Sequence, residues 1–140
     1  MFGPMTPTSP GGPRASARRA ETNALERELR AQVGAGTGPE DPISRAMEIV
    51  GDRWSLLIVR EIVAGHRRFG ELHRHLGIAK TVLSARLKAL VAREILQPRP
   101  YHREASGRDW HEYRLTQAGI DLYPILIALQ RWANTHLSDE

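Results

Sequence analysis

The 140-residue sequence contains no cysteine. This excludes a disulfide, a thiolate metal ligand and a cysteine nucleophile within these residues, and it leaves the redox compartment open. The longest strongly apolar run, 122–129, contains a proline and is far too short to cross a bilayer. The first residues also lack the charged-then-apolar order of a secretion signal. We therefore expect a cytoplasmic protein with no membrane partner, made of one folded domain and an extension.

Catalytic motifs are missing as well. The six histidines form no His-x-x-x-His pair, and no phosphate-binding glycine loop is present. His73 and His75 are two residues apart, so on a helix they point to different faces and make a poor metal pair. Ser84 and Ser106 have no evident base near them in the sequence. The sequence predicts no catalytic residue, no metal site and no cofactor, and hence not an enzyme.

Acidic residues are absent between Ile78 and Arg93. Within this segment Leu83, Leu87 and Leu90 recur at the spacing of one helix face. The other face is small, polar or cationic: Lys80, Thr81, Ser84, Ala85 and Lys88, with Arg86 at its edge. A solvated helix usually mixes charge signs, so a face without carboxylates favours a polyanionic partner. An ordinary amphipathic helix with basic decoration is the alternative.

Positive charge is concentrated in the central third of the chain. Residues 66–114 contain 11 Lys and Arg residues against 5 Asp and Glu residues. All of these bases except Lys80 and Lys88 are arginines, whose forked guanidinium suits phosphates and guanine edges. This distribution indicates binding to nucleic acid or another anionic surface. Compositional drift toward arginine would also explain part of it.

Proline and glycine divide the chain into parts. We predict a disordered tail, an N-terminal helix, a linker and a folded domain, at residues 1–19, 20–34, 35–40 and 41–140. Leu25 and Leu29 lie on the apolar stripe of the N-terminal helix, which needs a partner surface to bury it. The folded domain begins with Asp41-Pro42, a typical N-cap and first helical residue.

The centre of the domain has the order of a helix-turn-helix. A helix at 43–50 precedes a more buried one at 54–63, which Asp52 can cap. A brief strand at 66–69 and a short helix at 69–76 follow. Gly77 then forms the turn into the basic helix, and this succession is typical of a helix-turn-helix.

A β-hairpin is predicted directly after the basic helix. Its strands are 95–101 and 110–115, and its polar tip, 102–109, carries Arg103 and Arg108. A tip arginine can reach a minor groove or a phosphate, or it can simply make an exposed loop soluble.

The last helix is predicted to start at Thr116 and to be kinked by Pro124. It has more apolar surface than one core-facing stripe needs, including Ile125, Leu129 and Trp132. This excess favours a subunit interface, and packing across the domain's own helices is the alternative.

The order of motifs from 41 to 135 resembles the HxlR family of bacterial winged-helix transcription regulators. The resemblance rests on these segments: Met47-Glu-Ile-Val-Gly-Asp-Arg-Trp54, Gly65-His-Arg-Arg-Phe-Gly-Glu-Leu72, Leu83-Ser-Ala-Arg-Leu-Lys-Ala-Leu90 and Tyr113-Arg-Leu-Thr-Gln-Ala-Gly119. It implies a mainly α fold with a small β-hairpin (α+β), a winged helix-turn-helix with terminal helices at a homodimer interface. It further implies sequence-specific binding of double-stranded DNA at a near-palindromic operator, with a repressor as the expected role. A winged helix for protein or RNA contacts without operator specificity is the alternative.

The resemblance also assigns residues. The recognition helix would be 79–92 and the wing 102–109. DNA contacts would come from Ala79, Lys80, Thr81, Ser84, Ala85, Arg86 and Lys88, with Arg67, Arg68, Arg103 and Arg108 on the backbone and wing. The dimer interface would include Ile125, Leu129 and Trp132 of the terminal helix. The N-terminal helix lies outside the usual family core, and we add its Leu25 and Leu29 to the interface because their apolar stripe needs a partner surface. By analogy, a small apolar effector would bind between the dimer helices and the Trp54 region.

Two positions depart from the family pattern. Many members carry a cysteine just before the proline that starts the domain, and here that residue is Asp41. A thiol switch is therefore excluded at this site, and the lack of cysteine excludes it elsewhere in these residues. Members commonly begin the recognition helix with Ser or Thr, where this sequence has Ala79. We expect Lys80 and Thr81 to take over more of the phosphate contact.

Overall fold

The computed structural model describes residues 3–5, 11–34, 36, 38–103, 105, 107 and 109–137, with the backbone alone at 102, 103 and 109. The chain divides into two compact units, Met1–Asp41 and Pro42–Glu140. Among the described residues, no helix combines the length and the apolarity that a bilayer-spanning segment requires.

The first unit contains one long helix, α1 (Pro13–Val33). It begins seven residues before the predicted start at Ala20, so residues 13–19 are helical and the predicted disordered tail is corrected there. Pro13 occupies the first turn, where its missing N–H costs nothing, and the alanines and arginines that follow are good helix formers. Gly34 ends the helix with a φ of 76°. Residues 1, 2 and 6–10 of the predicted tail, and 35 and 37 of the predicted linker, lie outside the described residues.

The second unit is mainly helical. Its elements are α2 (Pro42–Val50), α3 (Ser55–Val63), α4 (Phe69–Leu76), α5 (Lys80–Ala92), β1 (Leu96–Arg103), β2 (Asp109–Leu115), α6 (Gln117–Ile120) and α7 (Tyr123–His136). The predicted fold class, a mainly α winged helix-turn-helix with one β-hairpin, is confirmed.

The core of this unit lies between α3, α4, α5 and the start of the hairpin. Ile58 and Val59 of α3 are fully buried, as are Leu72 of α4 and Leu83 of α5. The other buried apolar residues are Val50, Ile62, Ile78, Leu87, Leu90, Ile95 and Leu96. The leucines of α5 are thus the inward face that their spacing predicts.

Asp52 holds the start of α3. Its carboxylate accepts hydrogen bonds from the backbone N–H groups of Trp54 and Ser55, both at 3.0 Å, and from the Ser55 hydroxyl. These are backbone donors that a helix leaves without intrahelical partners. The predicted capping role of Asp52 is confirmed.

The hairpin is antiparallel and pairs Leu96 with Leu115 at its base. Its register shifts between Pro100 and His102, so Tyr101 has no partner residue on β2. The predicted strand at 66–69 is reduced to one bridge, between Arg68 and Glu112. The Tyr113 N–H donates to the Arg67 carbonyl oxygen at 2.8 Å, which attaches the segment before α4 to the hairpin.

The C-terminal segment forms two helices where one kinked helix was predicted. Thr116 caps α6 as expected, accepting a hydrogen bond from the Gly119 N–H at 3.2 Å. The chain then turns at Asp121 and Leu122, and Pro124 lies in the first turn of α7. Proline fits a first turn without loss of a hydrogen bond, so it starts a new helix and does not bend an existing one.

Candidate nucleic-acid interface

A tight turn sets the angle between α4 and α5. Gly77 ends α4 in the left-handed conformation, with a φ of 64°, and its N–H donates to the His73 carbonyl oxygen. Ile78 is buried beneath the turn, with 1% of its surface exposed. The His73 Nδ1 lies 2.8 Å from the Ile78 carbonyl oxygen. Because a carbonyl only accepts, Nδ1 carries the hydrogen, and the side chain closes the turn.

The face of α5 opposite its buried leucines is open to solvent. Lys80, Thr81, Ala85 and Lys88 are exposed and Ser84 is half-buried. Ala79 is the exposed N-cap residue and has an extended backbone with a ψ of 138°. The observed helix, Lys80–Ala92, agrees with the predicted 79–92 to within one residue. The structure thus gathers most of the predicted recognition residues on one accessible, carboxylate-free surface, which we call the α5 face.

Arg86 lies on a different side of α5. Its guanidinium is 3.5 Å from the Asp52 carboxylate, and about a third of its side chain is exposed. Arg86 therefore connects α5 to the start of α3. The DNA contact that the sequence predicted for Arg86 stays a prediction. The Arg86 side chain helps to fix the orientation of the α5 face.

The same contacts act on the Asp52 carboxyl. Burial alone would raise its pKa, but hydrogen bonds from the Ser55 side chain and from the Trp54 and Ser55 backbone, with the nearby Arg86 charge, lower the pKa below its ordinary value. Asp52 is therefore ionised at neutral pH. Burial raises the pKa of the Tyr113 phenol, so that side chain stays neutral near the basic surface.

Arg68 lies near the start of the α5 face, since Arg68 and Lys80 line the same pocket, and Arg67 precedes it in the segment attached to the hairpin. Arg67 is half-buried and Arg68 is exposed. The Arg68 guanidinium lies over the Tyr101 ring, 3.9 Å from its centroid. Such a cation–π contact holds the charge in place beside the hairpin. Sequence reasoning missed Tyr101, because the bulge that frees it from strand pairing is a tertiary feature.

The predicted wing tip is described only in part. Arg103 is the last residue of β1, but its side chain lies outside the described residues, as does the whole of Arg108. The roles assigned to both arginines stay predictions.

The predicted interface residues are all exposed in the single chain. On α7 the exposed fractions are 44% for Ile125, 50% for Leu129 and 57% for Trp132. On α1 they are 59% for Leu25 and 56% for Leu29.

An apolar cleft of about 520 Å³ lies between α3 and α7. Leu56, Leu57, Val63, Leu126, Ile127 and Leu129 contribute to its lining. Its volume is in the range of small-molecule sites. Trp54, near which the sequence places an effector, is not among the lining residues.

One cluster was missed entirely. Glu61, His66 and His75 come together where α3 ends beside α4. The sequence prediction compared only histidines with each other. Glu61 and His75 lie on different helices, α3 and α4, so no local spacing in the sequence reveals the cluster.

Comparison with known proteins agrees with this fold. Residues 49–140 match the family described as HxlR-like helix-turn-helix. MT3179 of Mycobacterium tuberculosis (strain CDC 1551 / Oshkosh), named as an uncharacterized HTH-type transcriptional regulator, is 45% identical over 97 residues. Those residues are 69% of this chain and 60% of the relative, so the chain spans less than two thirds of that protein.

Solved structures that resemble this fold are also described as transcription factors or regulators. The crystal structure of PA1607 is 35% identical with a TM-score of 0.64, over 78% of this chain and 71% of that one. The reduced form of the transcriptional regulator YodB from Bacillus subtilis is 28% identical with a TM-score of 0.58, over 70% of this chain and 97% of that one. Relatives of this kind are regulators of transcription, which are not enzymes. With its turn between α4 and α5, its hairpin and its match over residues 49–140, this chain belongs to the HxlR-like helix-turn-helix family.

Proposed function

We propose that this protein is a transcriptional regulator that binds double-stranded DNA in a sequence-specific way, as a homodimer on a near-palindromic operator. The observation that carries the proposal is the α5 face, which is exposed, free of carboxylates and positioned by a buried leucine face on the same helix. An α-helix fits the major groove of B-form DNA, and a helix-turn-helix presents its second helix there.

The side chains of the α5 face suit both kinds of DNA contact. Lys80 and Lys88 are exposed cations that would pair with phosphates, and so is Arg68 beside the hairpin. Thr81, Ser84 and Ala85 are small, so the helix can approach base edges closely. A hydroxyl can donate to or accept from a base, and a methyl group can contact thymine.

A second copy would supply the matching half-site. The exposed apolar residues of α7 give a surface that a dimer would bury, as the family resemblance implies. In a symmetric dimer the two α5 helices would enter successive major grooves about 34 Å apart. Leu25 and Leu29 of α1 are also exposed and would contribute separately to contact between the copies.

The regulator would act in the bacterial cytoplasm, where a dimer bound at a promoter would block polymerase. Repression is the role that we assign to it. A small apolar effector stays a prediction of the resemblance, and the cleft between α3 and α7 is one place with room for it.

The proposal is tested by selecting bound fragments from random duplex DNA and then measuring affinity by fluorescence anisotropy at two salt concentrations. We expect tight binding to the selected duplex, weaker binding to random duplex and weakest binding to the corresponding single strand, with affinity falling steeply as salt rises. Equal affinity for duplex and single strand would contradict the proposal and favour an RNA-binding or protein-binding winged helix.

Two variants separate phosphate contacts from base contacts. Lys88→Ala should weaken binding to all duplexes alike and lower the salt slope by about one unit, because one phosphate pair is lost. Ser84→Ala should lose affinity for the selected operator and little for random duplex. The charge-matched control is Arg45→Ala, an exposed base on α2, which should leave both quantities unchanged. If Lys88→Ala and Arg45→Ala behave alike, the α5 face is not the DNA surface.

A further inference from the structure

Three side chains with metal-binding atoms meet where α3 ends beside α4. One ligand atom each from Glu61, His66 and His75 can be chosen so that all lie within 4.8 Å of one another. Glu61 and His66 are half-buried, and His75 is exposed. The proposed DNA surface uses none of the three. Two imidazoles and a carboxylate are a ligand set that holds zinc and leaves a position open to solvent.

The turn after α3 fixes the first two of these residues relative to each other. The His66 N–H donates to the Glu61 carbonyl oxygen at 2.9 Å. Gly65, with a φ of 103°, makes this reversal possible. The short turn therefore brings the imidazole back beside the carboxylate, and little conformational entropy remains to be lost when both bind one ion.

The two nitrogens of His66 face two different carboxylates. Nε2 lies 3.9 Å from Glu61 Oε2, and Nδ1 lies 3.6 Å from Glu71 Oε2. The other oxygen of Glu61, Oε1, is held by Arg60 at 3.0 Å, which leaves Oε2 directed at the cluster. A metal-binding histidine usually has a carboxylate on its second nitrogen, which selects the tautomer and orients the ring. Glu71 lies on the correct side of His66 to do this.

The third residue comes from α4. Leu72 is fully buried and holds this helix against the core, while Glu71 and His75 lie one turn apart on the same face. The His75 ring is stacked on the His66 ring, with centroids 3.8 Å apart and planes 26° from parallel. The cluster therefore joins the end of α3 to the first helix of the helix-turn-helix.

We infer that Glu61, His66 and His75 bind a divalent transition-metal ion of the zinc class, with Glu71 orienting His66. Ligands of a tetrahedral zinc ion, with bonds of about 2.0 Å, lie about 3.3 Å apart. The ligand atoms, which lie within 4.8 Å of one another, must therefore close by up to about 1.5 Å. Ring nitrogens bind a metal in the plane of the ring, so the exposed His75 side chain must also turn out of its stack on His66. The ion would link α3 to α4 and stabilise the folded domain, because it binds the folded chain in preference to the unfolded one.

The test uses the full chain with any affinity tag removed, and Zn²⁺ as the probe. Competition with a chromogenic chelator measures affinity and stoichiometry, and Co²⁺ substitution reports the geometry through its visible absorption. We expect one ion per chain and a rise in the thermal unfolding midpoint with Zn²⁺. His75→Ala and Glu61→Gln should each weaken Zn²⁺ binding by about 10-fold or more and abolish the thermal shift, and Glu71→Gln should weaken it less.

His111→Asn, an exposed histidine on β2, is the matched control and should bind Zn²⁺ as the wild type does. Circular dichroism without metal checks that each variant is folded; His75 is exposed, so its removal opens no cavity. The inference is overturned if the wild type binds no Zn²⁺, or if His75→Ala and Glu61→Gln bind it as tightly as the control. Zn²⁺ binding is measured without DNA, so a protein that binds no Zn²⁺ can still be the proposed regulator. In the same way, a protein that binds no DNA can still bind Zn²⁺ at this cluster.

Discussion

Asp52 has two structural roles in this domain, since it caps the start of α3 and forms an ion pair with α5. Its carboxylate accepts from two backbone N–H groups at the start of α3 and from the buried Ser55 hydroxyl, and it pairs with Arg86 of α5. The first contacts keep α3 helical from its first turn, and the last one ties the recognition helix to it. A single side chain therefore contributes both to stability and to the orientation of the α5 face.

Asp52→Asn should destabilise the domain in a pH-dependent way. The asparagine keeps an acceptor but loses the charge, so we expect a loss of about 1 kcal/mol in the free energy of unfolding at pH 7. The folded-state pKa of Asp52 lies below the ordinary 3.8, so the ionised carboxylate stabilises the fold above that pH. This contribution is lost as the pH falls through the folded-state pKa.

Denaturant unfolding at a series of pH values measures this effect. The difference between wild type and Asp52→Asn should shrink as the pH is lowered below about 4, and a difference independent of pH would contradict the assignment. Glu48→Gln, an exposed carboxylate on α2, is the control and should stay within about 0.5 kcal/mol of the wild type at pH 7.

At the scale of elements, the turn between α4 and α5 decides how the α5 face is presented. Three features act together: the left-handed Gly77, the buried Ile78 and the His73 hydrogen bond across the turn. The leucines of α5 fix its rotation about its own axis, whereas the turn fixes its direction relative to α4. A change in the turn should therefore affect DNA binding through geometry.

Gly77→Ala should destabilise the domain by about 1 kcal/mol, because an L-residue is disfavoured at a φ of 64°. An added Cβ would meet no atom within 4 Å, so the cost is conformational and not a clash. Gly70→Ala is the matched control, since it lies inside α4 with equally open space, and it should stabilise by about 0.5 kcal/mol. Equal effects of the two substitutions in urea unfolding would show that the turn is not strained.

At the scale of the whole molecule, the outward apolar face of α7 is a surface that a single copy leaves exposed. Ile125, Leu129 and Trp132 are each exposed by 44% or more. In contrast, Leu122 and Leu126 pack against the core of their own domain. Packing against the domain's own helices is therefore confirmed for one face of α7. The outward face is the one proposed for a dimer.

Leu129→Glu should convert a dimer into a monomer in size-exclusion chromatography with light scattering, because a charge would be buried in an apolar interface. Asn134→Glu adds the same charge two residues after Trp132, on another face of α7, and should leave the dimer intact. Leu25→Glu then tests separately whether α1 contributes. A Leu129→Glu protein with the wild-type mass would rule out this interface.

Residue order alone predicted the α5 face well, because a leucine repeat and a stretch without acids are local patterns. The same holds for the Asp52 and Thr116 caps and for the hairpin, whose signals lie within a few residues. The start of α1 was wrong by seven residues, since proline and glycine before it suggested disorder although Pro13 suits a first helical turn. The kink predicted at Pro124 was wrong for the same reason, because this proline lies in the first turn of a new helix.

What the sequence by itself determined is where the helices from α2 to α5 and the hairpin lie, and which side of α5 faces the core, because helical periodicity acts over short distances. Only the tertiary structure decided which distant side chains meet. Folding paired Arg86 with Asp52, placed Arg68 over Tyr101 and gathered Glu61, His66 and His75. Such contacts depend on the angles between packed helices and strands. Those angles are set by the packing of the hydrophobic core, whose residues are not the polar side chains that form these contacts.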